Sequence, residues 1–205
     1  MSGGRELPAA ELSGEQLSAR SKTAERHVAL LRGINVGGKN RLPMAELRAL
    51  FEAAGAREVE TLIQSGNVVF AAVDASEVAR AVERAIAARF GFQAPVVSRS
   101  ATTLRALVAH VEGDAALARE REQLHVLFCR EQPSEARIAA VDPARSPPDR
   151  IVTGAPELLL VLPNGVGKSK LTSAYLDRTL GTVTTIRNWR TVTSLADLAL
   201  PAPRD

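Results

Sequence analysis

The 205-residue sequence predicts an α+β protein with antiparallel sheets, laid out as two tandem halves of the same element order. Three observations carry this expectation. Apolar runs of strand length alternate with segments whose apolar residues recur at spacings of three and four. Short turn signals, Gln64-Ser65-Gly66 and Ala155-Pro156, each separate two β-rich runs as hairpins do. The order strand, helix, strand, strand, helix, strand is then met twice.

In the first half, HVALLRGI (27–34) is an apolar run of strand length. Pro43 stands where the first position of a helix favours it and opens PMAELRALFEAAG. There Met44, Leu47, Leu50 and Phe51 form one apolar stripe, and Gly55 is the stop. VETLI (59–63) and NVVFAAV (67–73) form the hairpin, Ser76 is a candidate cap for a helix over 77–90, and PVVS (95–98) is the closing strand. A helix near 101–110 and a polar stretch over 111–122 connect the halves. In the second half QLHVLFC (123–129) is a strand, Ser134 opens a helix over 134–141, and RIVTG pairs with ELLLVLP (157–163). PNGVG then breaks the chain, KSKLTSAYLDRTLG (168–181) reads as a helix stopped by Gly181, TVTTI (182–186) as a strand, and NWRTVTSLADLA (188–199) as a final helix capped by Asn188. Residues 1–26 predict a mobile extension with a short helix over 9–20. The expected domains are thus a unit over 27–100, a connector over 101–122 and a second unit over 123–205. The repeated β-α-β-β-α-β order is the split βαβ, or ferredoxin-like, plan. One merged α/β sheet is the alternative.

Composition narrows the function classes. With 45% apolar and 24% charged residues the chain is an ordinary globular one. No apolar run approaches the ~20 residues of a membrane span, and no membrane partner is expected. The first 27 residues lack the apolar core of a secretory signal, and one cysteine, Cys129, excludes a disulfide framework and a multi-cysteine metal site. The expected location is the cytoplasm. Aromatic residues make up 3%, which counts against a base-stacking platform for RNA.

Positive charge is concentrated rather than spread. The formal charge is +3, yet residues 32–48 hold Arg32, Lys39, Arg41 and Arg48 against Glu46 alone. Residues 163–190 hold Lys168, Lys170, Arg178, Arg187 and Arg190 against Asp177 alone, so the remainder of the chain is net acidic. Such clustering points to a local anion site; solubilising loops are the competing account. Topology adds a placement. In an antiparallel unit of this order the first and second strands run the same way. The loop 33–40 and the hairpin 64–67 therefore lie at one end of the sheet.

The blocks RGINVGGKN, QSGNVVF, GKSKLT and RNWRTV carry a resemblance. Across residues 27–199 the chain is similar to the bacterial family known as domain of unknown function 1697. The resemblance implies a ferredoxin-like α+β fold and carries over no catalytic residues.

Gly33-x4-Gly38-Lys39 has the spacing of a phosphate-cradling P-loop, but Asn40 replaces the magnesium-binding hydroxyl and Pro43 starts the helix too late. Gly165-Val166-Gly167-Lys168-Ser169 has Leu162 where the first glycine belongs. Both loops still make anion nests, and a helix opening at Lys168, Ser169 and Lys170 would add its dipole. The expected ligand residues are Arg32, Asn35, Gly37, Gly38, Lys39 and Asn40 in the first loop, and Gln64, Ser65 and Asn67 in the hairpin. Gly167, Lys168, Ser169 and Lys170 belong to the third loop, with Arg187, Asn188, Trp189 and Arg190 beyond it. The alternative is that the amides and hydroxyls satisfy tight turns, the glycines supply positive φ, and Trp189 anchors the core. His27, His110 and His125 are isolated, without zinc-ligand spacing, and no catalytic residue, metal or cofactor is called for. The expected partner is a phosphate-bearing or other anionic small molecule. A nucleic-acid binder with the same charges on phosphates is the second class, weakened because only Phe70 and Phe128 fall in sheet positions. An enzyme acting on a phosphorylated substrate, with Lys39 or Lys168 as electrostatic stabiliser, is the third.

Overall fold

The computed structural model describes residues 24–200. The extension predicted over 1–26, with its short helix, lies outside them except at its last residues, and there Glu25 already opens the first strand.

The first sheet contains β1 (Glu25–Leu31), β2 (Arg57–Leu62), β3 (Asn67–Ala72) and β4 (Val96–Ser100) in the order β2-β3-β1-β4, every pair antiparallel. Helices α1 (Met44–Ala53) and α2 (Ala75–Phe90) connect its strands. After α3 (Ala101–Gly113) and α4 (Ala115–Arg119) comes a second sheet of β5 (Leu124–Cys129), β6 (Arg150–Val152), β7 (Leu158–Val161) and β8 (Thr184–Asn188). Its order, β6-β7-β5-β8, repeats the first. Helix α5 (Glu135–Ala139) follows β5, α6 (Ser173–Leu180) follows β7, and α7 (Trp189–Leu198) follows β8.

The continuous apolar strands are explained by burial on both faces. Along β1, Ala29 and Leu31 pack with α1 and α2 through Leu47, Phe51, Val82 and Ile86, whereas Val28 and Leu30 face the other way. Along β5, Leu127 and Cys129 pack toward α6, while Leu124, Val126 and Phe128 join the same core as Val28 and Leu30. That shared core is filled by Leu104, Leu107 and Val111 of α3 and by Trp189, Val192 and Leu195 of α7. The expected connector helix is therefore a core element: each half keeps a cluster of its own, and a third cluster is shared between them. Among the described residues no helix is long and apolar enough to cross a membrane.

Several boundaries differ from expectation for local reasons. Asp74, not Ser76, caps α2 by accepting from the Glu77 amide at 2.9 Å, so the helix begins at Ala75. Pro43 occupies the cap position of α1 with φ −59° and ψ 142°, one residue ahead of the helix. The polar stretch after 111 contains α4, because the Asp114 carboxylate caps the amides of Ala116 and Leu117. The largest shift concerns α6. It begins at Ser173, not at Lys168, because Thr172 caps the Tyr175 amide and Leu171 turns into the core beside Tyr175 and Leu176.

Cys129 is buried, and loss of hydration, reinforced by the nearby Glu157 charge, pushes its thiol up to about 11. We predict no alkylation of the folded protein by iodoacetamide at pH 8, with full modification once urea unfolds it. Modification of the folded protein at the unfolded rate would contradict the burial.

Candidate functional site

The β2–β3 hairpin is the centre of the loop end. Residues Ile63 to Gly66 turn the chain there, with Gly66 at φ +78°. Space at Gly66 is minimal: a Cβ there would stand 2.8 Å from Cβ of Leu31 and 2.9 Å from Cδ1 of Ile34. The Gly66 carbonyl accepts from the Leu31 amide at 2.7 Å, locking the hairpin onto the end of β1.

The first glycine loop is tied to this hairpin as the topology requires. Asn35 donates from Nδ2 to the carbonyls of Leu42 (2.9 Å) and Gln64 (3.0 Å), while its Oδ1 accepts from the Leu42 amide. Asn40 donates to the Gly33 carbonyl at 2.8 Å. Both asparagines adopt left-handed φ, 54° and 51°, and use their amides to brace the loop. Gly37 and Gly38 are exposed at the loop tip beside Lys39. Between loop and hairpin lies a cleft of about 530 Å³ lined by Asn35, Gly38, Arg41, Leu42, Pro43, Met44 and Gln64.

On the opposite flank of the hairpin the third loop approaches. A second cleft of about 330 Å³ is lined by Ile63, Ser65, His125, Val166, Ile186, Arg187, Asn188 and Thr191. All three loops thus meet at one hairpin, but as two clefts, and neither Lys39 nor Lys168 is among the lining residues. Nor does the third loop offer a helix start to an anion. Ser169 spends its hydroxyl oxygen on the Leu171 amide at 3.0 Å, the Lys170 amide donates to Ser146 Oγ at 2.9 Å, and α6 begins only beyond. Gly167 and Lys168 remain exposed within the turn.

Two expected ligand arginines are committed to the protein itself. Arg32 pairs with Asp177 at 2.6 Å and donates to the Thr184 carbonyl at 2.9 Å, while the other Asp177 oxygen accepts from the Thr184 amide and hydroxyl. Arg187 donates to Asn67 Oδ1 (2.6 Å), the Leu31 carbonyl (2.6 Å), Thr185 Oγ1 (2.8 Å) and the Ile186 carbonyl (2.9 Å), with longer contacts to the carbonyls of Ser65 and Gly66. Burial pushes its pKa down to about 10, which still leaves it cationic at neutral pH. Asn67 is fully buried, and its Nδ2 donates to Ser65 Oγ at 2.8 Å. Asn188 caps α7 through the Thr191 amide, Trp189 is a core side chain, and Arg190 is exposed.

Sequence reasoning missed Arg41, Ile63, His125, Val166, Ile186 and Thr191, all of which line the clefts. One signal was present. Val36, Ile63 and Val166, one on each loop, are large apolar residues in or next to glycine-containing turns, and they are 65%, 59% and 51% exposed.

The fold and site define an α+β protein of two four-stranded antiparallel sheets, with glycine loops gathered around an arginine-braced hairpin. The chain belongs to the family described as protein of unknown function (DUF1697), whose model matches residues 24–158. The third loop and the RNWRT segment lie beyond the matched residues. A solved structure, that of the conserved bacterial protein SP0830 from Streptococcus pneumoniae, is similar over 86% of this chain and 99% of its own, with 24% identity and a TM-score of 0.64. That likeness concerns the fold. No curated protein matches.

Proposed function

We propose that the protein binds a phosphate-bearing or other anionic small molecule at the loop cluster. One observation carries this reading. Among the described residues, Lys39, Arg41, Lys168, Lys170 and Arg190 make no ion pair; arginines elsewhere, such as Arg57, Arg119 and Arg121, share that state, but these five are grouped on the loop segments. These five cations stand on or next to segments that border the two clefts, and Arg41 lines the first directly. Unpaired like charges at one end of a molecule raise the local potential and attract anions. We further read each half as a ferredoxin-like unit, supported by the first strand lying between the third and fourth in both sheets. A cytoplasmic location accords with the single buried thiol.

The test is a thermal-shift screen against inorganic phosphate, sugar phosphates, nucleotides and short RNA, with Lys39→Ala, Arg41→Ala and Lys168→Ala alongside. A ligand at 100 times its Kd stabilises by about 2.7 kcal/mol, which in a chain of this size raises Tm by roughly 5–10 °C. We expect such a shift with a small anion, reduced in at least one variant. No shift with any probe, in a protein that melts cooperatively, would sink the proposal. A response to RNA alone, falling steeply with salt, would transfer the site to nucleic acid.

A further inference from the structure

The cleft between the hairpin and the third loop holds more than an anion requires. Two of its walls, Ile63 and Val166, are β-branched side chains left more than half exposed, and Ile186 forms a third, half-buried wall. Ile63 also has φ +51°, a left-handed conformation that is an outlier for a β-branched residue. Core burial does not repay this strain, because the side chain is 59% exposed. Glycine or asparagine would adopt the same turn at lower cost. Strain held without a packing return marks positions kept for contact with something else.

The polar lining is equally unspent. His125 Nδ1 donates to the Gln123 carbonyl at 3.0 Å, and its Nε2 has no protein partner. Asn188 uses Oδ1 on the Thr191 amide and keeps its Nδ2 donors free. Ser65 Oγ accepts from Asn67 and keeps its own hydrogen. Arg187, in contrast, is fully engaged, and the uncommitted cations nearest in sequence to the lining are the exposed Lys168, two residues beyond Val166, and Arg190, next to Thr191. Apolar walls, a mixed donor and acceptor lining, and cations on flanking residues match a flat heterocycle that carries an anionic tail.

We propose that this cleft takes the heterocyclic ring of a nucleotide between Ile63 and Val166, with its phosphate directed to Lys168. The assignment rests on the anion-binding reading above and names its ligand class. At about 330 Å³ the cleft has more room than one ring system needs, enough for the ring and part of the sugar.

Isothermal titration of the full chain with AMP, UMP, ribose 5-phosphate and inorganic phosphate tests it, in the wild type and in Ile63→Gly. AMP or UMP is expected to bind at least about tenfold more tightly than ribose 5-phosphate. Ile63→Gly is expected to weaken the nucleotide by about tenfold and leave ribose 5-phosphate within about twofold. The same variant is expected to raise Tm by about 1–4 °C, since glycine relieves the backbone. A wall that served only stability would show no such opposition between affinity and melting. Equal affinity for nucleotide and ribose 5-phosphate, or nucleotide affinity unchanged in Ile63→Gly, would overturn the ring assignment and leave anion binding in place. Failure of all four probes would remove both.

Discussion

Replacing Arg187 by alanine destabilises the protein by about 3–5 kcal/mol, because several buried acceptors lose a charged donor with no water to replace it. The acceptors belong to different parts of the chain: the Leu31 carbonyl at the end of β1, Asn67 at the start of β3, and Thr185 and Ile186 within β8. Truncation therefore loosens the hairpin from the second half as well as leaving a void. In urea unfolding the midpoint should fall with little change in slope, and Tm should drop by roughly 6–20 °C. Arg187→Lys should recover only part of the loss, since an ammonium cannot reproduce the planar fork. An alanine variant within about 0.5 kcal/mol of the wild type would show that the guanidinium does not hold the hairpin.

Gly66→Ala is the second substitution with a large expected effect, about 2–4 kcal/mol of lost stability, for a different reason. A side chain at φ +78° carries its own conformational penalty of about 1 kcal/mol. The new Cβ would in addition meet Leu31 at 2.8 Å and Ile34 at 2.9 Å, both buried and with no room to withdraw, which adds about 1–3 kcal/mol of overpacking. Gly38→Ala provides the contrast. Its φ is similar, +75°, but the site is open, so only the backbone penalty applies. Thermal melts of the two variants should differ by several degrees, with Gly66→Ala lower. Equal melting temperatures would show that the hairpin is not wedged against β1.

These two residues illustrate what could be read in advance. The segment QSGNVVF announced a turn between strands, and Gly66 was legible as its pivot. That the loop 33–40 would lie beside the hairpin 64–67 followed from strand direction, since loops at the same end of a sheet are neighbours; the bond from Asn35 to Gln64 is how they meet. Asn35 and Asn67 were open between ligand and brace, and their hydrogen bonds brace the turns, as does that of Asn40. Arg187 was counted as a free cation because charge runs look alike whether their members are solvated or clamped. Its partners lie as far as 156 positions away in sequence, beyond any local pattern. The helix start at Lys168 was misread for a related reason. The periodicity of KSKLTSAYL continues without a break, and only the docking of Leu171 into the core makes Thr172 the cap.

His125 and Ile63 were hidden in another way. Both sit in runs with strong strand character, and a strand residue is assigned to packing by default. Ile63 instead lies just past the end of β2, at the turn, and His125, beside its register partner Asn188, lines the same cleft as Val166.

What the sequence by itself determined was the order of elements, the hairpin positions, and the clustering of charge in two glycine-bearing segments. Each of these is written in local spacing, in turn chemistry and in composition. The tertiary structure alone decided that α3 and α7 fill one core between the sheets, that Arg32 and Arg187 are spent on the protein, and that three loops form two clefts rather than one. Those outcomes depend on which faces of two sheets are buried against each other, and on carbonyls that only long-range packing strips of water. Arg32 and Arg187 are held by acceptors that packing has stripped of water, while Lys39 and Lys168 stay exposed to it.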